Sequence, residues 1–183
     1  MAFNVNDIRS QLILGGARPS LFQVTIQNPA NSAGDIKVPF MVEAASIPES
    51  AIGMIQVPYF GRKVKIAGDR VFGAWTVQVI NDEDFLIRNA MESWLTSINT
   101  HEGNITQFGA ASPLLYKSQA QVVQYSKTGI PIRTYQFNGL FPTSVAAMGL
   151  DWNATDQIQK FQVTFEYDWW EVSGGITGDA GGT

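Results

Sequence analysis

Apolar and polar side chains alternate along several runs of this chain, and each run predicts a strand with one dry face. Phe22, Val24 and Ile26 alternate with Gln23, Thr25 and Gln27. Trp75, Val77 and Val79 alternate with Thr76 and Gln78. Phe161, Val163, Phe165 and Tyr167 alternate with Gln162, Thr164, Glu166 and Asp168, the clearest strand of all. Lys63 and Lys65 alternate with Val64 and Ile66 until Gly68-Asp69, a pair that predicts a tight turn before the Trp75 strand. Val38, Phe40 and Val42 predict another strand, with Pro39 placing it at an edge or an irregular start. Gln119 to Tyr125 and Ile130 to Phe137 predict a hairpin around Ser126-Lys127-Thr128-Gly129.

The period changes once. Ile87, Met91, Trp94, Leu95 and Ile98 form one helical stripe, and Asn81-Asp82-Glu83-Asp84 supplies cap candidates and negative charge for its first turn. A helix over about residues 82–98 results. Its roughly 15 residues span about 22 Å, enough to cross a sheet face. Ile8, Leu12 and Ile13 are spaced for a shorter helical turn before Gly15-Gly16. Around seven strands and one helix define a mainly β class: two antiparallel sheets as a β-sandwich or barrel, with one flanking α-helix.

Two stretches fit no simple pattern. Ala44 to Phe60 is long and apolar, with Ala51-Ile52-Gly53-Met54-Ile55 between Pro48 and Pro58. Such an excursion usually packs on its own domain; the other reading projects it onto a neighbour. Gly139 to Asp156 is expected to be irregular because of Pro142, Gly149 and an Asn153–Asp156 turn. The expected organisation is one domain over 1–171 and a flexible Gly-rich tail over 172–183.

Composition narrows the function. With 183 residues and 45% hydrophobic content the chain can bury a full core. Yet its charged residues amount to 15%, against about 25% in an average protein. A normal core with few charges fits a surface partly covered by partners, since interface cores are depleted of charge. The neutral strand faces point the same way: Gln121, Thr134, Gln136, Gln162 and Thr164 stand where solvated strands use more Lys and Glu. They suit strands joined across subunits or lining a channel; compositional drift is the bland alternative. The net charge of −4 gives no basic footprint for gripping nucleic acid. The sequence shows no basic-then-apolar signal peptide and no run of about 18 apolar residues, so cytosolic assembly is expected.

Candidate chemistry is thin. No cysteine and a single histidine, His101, leave neither a nucleophile–base set nor a zinc ligand set. Asp82, Glu83 and Asp84 are explained by a helix start, and Asp151 and Asp156 by turns. Gly15-Gly16 and Gly68-Asp69-Arg70 lack the spacing of a phosphate loop. No catalytic residue, cofactor site, metal site or small-molecule substrate is expected. Trp169-Trp170 places two large rings on opposite sides of a strand, one for the core and one for a subunit contact. Asp69 and Arg70 either pair with each other or send the arginine to a neighbour.

Several pieces in register resemble the tail-tube protein of contractile-tailed bacteriophages. They are Ala17-Arg18-Pro19 with Leu21-Phe22-Gln23-Val24; Ala67 to Arg70 with Phe72, Trp75-Thr76-Val77 and Asn81-Asp82-Glu83; and Gly139-Leu140-Phe141-Pro142-Thr143, Leu150-Asp151-Trp152 and Ile158 to Phe165. The resemblance covers about residues 17 to 171. It implies a structural virion protein: homohexameric rings stacked into the inner tube of a contractile tail, the conduit for genome ejection. The implied partners are further copies of itself, a tail sheath protein, baseplate and tail terminator proteins, and passing double-stranded DNA without specific binding. A baseplate tube-initiator, the tube of a phage-derived injection machine, and a carbohydrate-binding β-sandwich module are the alternatives. Ile52, Met54, Ile55, Tyr59, Asp69, Arg70 and Trp170 are the candidate contacts between rings or subunits.

Overall fold

The computed structural model describes residues 5–12, 15–107 and 112–181. Ile13, expected in the first helical turn, lies outside the described residues. Its neighbours form α1 (Val5–Gln11), whose side chains are exposed. Nine strands follow: β1 (Phe22–Ile26), β2 (Val42–Ala45), β3 (Ser50–Tyr59), β4 (Arg62–Phe72), β5 (Trp75–Ile80), β6 (Ser118–Tyr125), β7 (Pro131–Val145), β8 (Lys160–Glu166) and β9 (Trp169–Gly174). Six pair antiparallel in the order β1-β6-β7-β8-β5-β2, and β9 pairs the other side of β7; β3 and β4 form a separate hairpin.

The fifteen-residue β7 belongs to both layers. Its first half pairs with β6 and β9, its second half with β8. The expected irregularity after Gly139 is thus a bent strand, with a register shift where Pro142 passes β8. At the bend Gly139 holds a φ of 70°, and a Cβ there would lie 2.1 Å from Asp168 Oδ2. The Asp168 carboxylate is in turn held by Lys117 Nζ at 2.6 and 2.8 Å. Glycine is required at this corner on both counts.

The alternating runs behave as their pattern dictates. Val24 and Ile26, Trp75, Val77 and Val79, and Phe161, Val163 and Phe165 are buried, and their polar neighbours point outward. The inner faces meet in one core, where Trp75 stacks on Phe137 with centroids 4.3 Å apart. α3 (Leu86–Ile98) closes that core with Ile87, Ala90, Met91 and Trp94. Trp94 is fully buried and its Nε1 donates to Tyr116 O at 2.9 Å. Its ring also faces Phe165.

Four expectations change. The helix begins at Leu86, four residues later than predicted, because Phe85 takes a left-handed φ of 51°. The acidic run therefore lies before the helix and not in its first turn; Phe85 is the N-cap, Leu86 N donates to Asp84 Oδ1 at 3.0 Å, and Lys37 bonds both Asp82 and Asp84. The Lys37 hydrogen bond holds the Asp84 carboxyl below the usual carboxylate range. The predicted strand over Val38–Val42 is instead α2 (Val38–Met41) running into β2, with Pro39 in a first turn that needs no N–H from it. Gly68-Asp69 makes no turn, since β4 runs straight through it. The turn falls at Phe60-Gly61, and a register shift between Ile52 and Met54 absorbs the extra residue. Finally, β9 carries regular structure to Gly174, with Val172 buried, past the boundary expected at 171.

Candidate assembly surfaces

The hairpin of β3 and β4 stands apart from the core. Every residue of β3 is exposed, and on β4 only Gly68 and Phe72 are partly covered. Ile52, Met54, Ile55, Val57, Val64, Ile66 and Val71 all remain between 43% and 63% exposed. The excursion from Ala44 to Phe60 therefore projects; it does not pack on its own domain. Opposite pairs share a face, so Ala51–Val71, Ile55–Ile66 and Val57–Val64 form one apolar ladder. The other face carries Lys63, Lys65 and Arg70. A two-stranded ribbon is marginal alone in water, and an apolar patch this continuous marks an interaction surface.

Its root is nevertheless fixed. Phe72 packs beside Tyr167 and Trp170, with ring centroids 6.0 and 6.4 Å away. The Tyr167 hydroxyl donates to Gly73 O at 2.6 Å, and burial pushes its pKa up to about 12. The ribbon is an arm clamped at one end.

The candidate contact residues separate on this frame. Ile52, Met54, Ile55 and Tyr59 lie exposed on the arm. Asp69 and Arg70 are exposed there too, and among the described residues no ion pair joins them. Trp170 is different: it packs on the core against Phe72 and Tyr135, and the ring left at the surface is Trp169, 49% exposed. The expectation of one ring of each kind holds, but the assignment of Trp170 to the contact is corrected, because alternation alone does not fix which ring faces the core.

The neutral strand faces also divide. Thr25, Gln121, Gln136 and Glu171 line up in one cross-strand row of the first layer. Gln78 with Gln162, and Thr76 with Thr164, sit on the second layer, the latter pair 3.4 Å apart. Because the inner faces of these layers meet in the core, the two sets point in opposite directions. One channel cannot be lined by both.

A further surface was not legible in the sequence. The 146–159 segment between β7 and β8 walls an open cleft of 1080 Å³ with Leu150, Trp152 and Ile158 over Ile80 and the Glu43–Lys160 ion pair (2.7 Å). Trp152 is 100% exposed. The acidic Asp151 and Asp156 also line it. His101 sits in an exposed loop, 3.4 Å from Thr96 Oγ1, and no cluster of three or more His, Cys, Asp or Glu suited to a metal occurs among the described residues.

This two-layered β fold leaves the apolar arm and the cleft uncovered by its own chain, as interaction surfaces are. The chain belongs to the phage tail tube protein family, which matches it over residues 17–173. It is 36% identical over 156 residues to the tail tube protein gp19 of Enterobacteria phage T4, covering 85% of this chain and 91% of that one. The tail tube protein of Serratia phage KSP90 is 29% identical over 168 residues, covering 89% and 93%. A chain of the anti-feeding prophage baseplate shares the fold with a TM-score of 0.64 at 12% identity, covering 88% of this chain and 97% of its own. A chain of the extended sheath–tube complex of an extracellular contractile injection system does so with a TM-score of 0.58 at 14% identity, covering 92% and 97%.

Proposed function

We propose that six copies of this chain close into a ring and that rings stack into the inner tube of a contractile phage tail. The uncovered β3–β4 arm carries this reading, since it is rooted on the core, apolar along one face, and left uncovered by its own chain. Membership of the tail tube family, with curated relatives named as tail tube proteins, favours the tube itself over a baseplate initiator. Strands joined around the ring would cover open sheet edges. Stacking repeats one head-to-tail contact without closure, which yields a filament.

The partners follow from the same reading: a sheath outside, a baseplate at one end and a terminator at the other, with assembly in the host cytoplasm before incorporation in the virion. The protein acts as a conduit and not as a catalyst. Six copies of a −4 chain carry a formal −24. A neutral or acidic lumen would let double-stranded DNA slide without gripping its phosphates.

Deletion of Ile52 to Ile55 tests the arm. Those residues lie outside the core, so the variant should keep its folded circular-dichroism signature yet form no tubes in negative-stain electron microscopy, with or without added baseplates. Normal tubes from the deleted protein would refute this role of the hairpin.

A further inference from the structure

The tip of the arm is built oddly for a turn left in water. Phe60 holds a φ of 42° and Gly61 one of 81°, the left-handed pair of a tight hairpin turn. Asn, Asp or Gly normally takes the first of these positions, because a larger side chain is strained there. Here the position holds a phenyl ring that is 93% exposed, set edge-to-face on Tyr59 at 4.7 Å. Strain held together with an exposed aromatic knob points to function, and aromatic anchors are what interfaces bury in pockets.

Charge gives the knob its direction. Residues 50–72 contain four of the twelve Lys and Arg residues and only one of the sixteen acids, leaving the arm at +3 and the remainder at −7. Arg62 and Lys63 flank the knob directly. Among the described residues, neither Asp151 nor Asp156 has an ion-pair partner, and both line the cleft beneath the exposed Leu150, Trp152 and Ile158.

Topology separates the root of the arm from the cleft by the length of β5, and the arm carries the knob away from the core. β5 leaves the root of the arm at Trp75 and ends at the cleft with Ile80, about 17 Å of strand later. The pairing agrees: Ala45 lies beside Val77 toward the root, while Ile80 pairs with Lys160 at the cleft. A chain with a knob and a complementary cleft on separate surfaces can repeat one head-to-tail contact indefinitely.

We propose that Tyr59 and Phe60 of one copy seat in the 150–158 cleft of a copy in the next ring, with Arg62 and Lys63 facing Asp151 and Asp156. This deepens the tube reading and rests on it. At 1080 Å³ the open cleft has room for the paired rings.

The chain has no cysteine, which makes the contact directly addressable. A variant carrying F60C and W152C, assembled and treated with a short bismaleimide, should yield a denaturation-resistant ladder of dimers, trimers and longer species. Neither single variant should yield a ladder. Tubes that are visible by electron microscopy but give no ladder would overturn the proposed cleft while leaving the tube reading intact. Failure of the unsubstituted protein to form tubes on added baseplates would overturn the tube reading itself. Charge reversal supplies a second route if the cysteines impair assembly. R62E/K63E should lose tubes, and adding D151K/D156K to the same chain should restore them; no restoration overturns the proposed pairing.

Discussion

Replacing Gly139 by alanine would put a methyl group where the Asp168 carboxylate already sits. The new Cβ falls 2.1 Å from Oδ2, 2.6 Å from Cγ and 3.2 Å from Cβ of that residue. The carboxylate can swing aside only by releasing Lys117, whose Nζ holds both its oxygens. Two costs therefore add. A left-handed alanine costs about 1–2 kcal/mol, and the half-exposed ion pair contributes at most about 1 kcal/mol. The expected loss is about 1–3 kcal/mol, or a fall of about 2–12 °C in the melting midpoint for a domain of this size. Calorimetry on monomeric protein measures it, and a second variant separates the terms. In an Asp168→Ala background the carboxylate and the ion pair are gone and only the 3.2 Å approach to the retained Cβ is left, so Gly139→Ala should keep its backbone cost and little more. A loss below about 0.5 kcal/mol would refute the left-handed requirement, being less than the backbone term alone. An equal loss in both backgrounds would refute the role given to Asp168.

Tyr167 makes stability sensitive to alkali. Its phenol is raised by burial, and secondarily by Glu166, to about 12, against about 10 in an unfolded chain. The unfolded chain therefore sheds this proton first, and the phenol's contribution is intact below pH 10 and lost as pH rises toward about 12. Tyr167→Phe should cost about 1 kcal/mol at neutral pH through the lost bond to Gly73 and flatten the alkaline decline; parallel declines would refute the assignment. Reconstruction of assembled rings should show a lumen that is neutral or acidic. A strongly basic lumen would overturn the sliding-DNA reading.

The elements read correctly from sequence are those whose two faces meet different media. β1, β5, β8 and α3 each set one face against the core, so alternation or a helical stripe survives in the residues. β3 has no such contrast: neither face touches its own core, and its apolar side chains occupy both parities. Gly68-Asp69 reads as a turn for a local reason that the fold overrides. Gly53 and Gly68 approach closely across the ribbon, so the glycines permit a bulge where sequence predicts a reversal. Val38, Phe40 and Val42 alternate by composition only, with Val38 buried and Phe40 78% exposed on a helical turn. The arm's residues could be named as contacts, but the cleft could not. It is assembled from the β2 and β5 ends and a loop more than sixty residues further along the chain.

β7 has a mechanical consequence. In a sandwich of two separate sheets, a shearing load is resisted by side chains that slip past one another. Here one backbone crosses from layer to layer, flanked by β6 and β9 before its bend and by β8 after it. Displacing one layer along the other would have to stretch covalent bonds or strip several strand pairings at once. The bend that Gly139 permits works as a strut between the two walls, so a thrust on either wall loads the whole subunit.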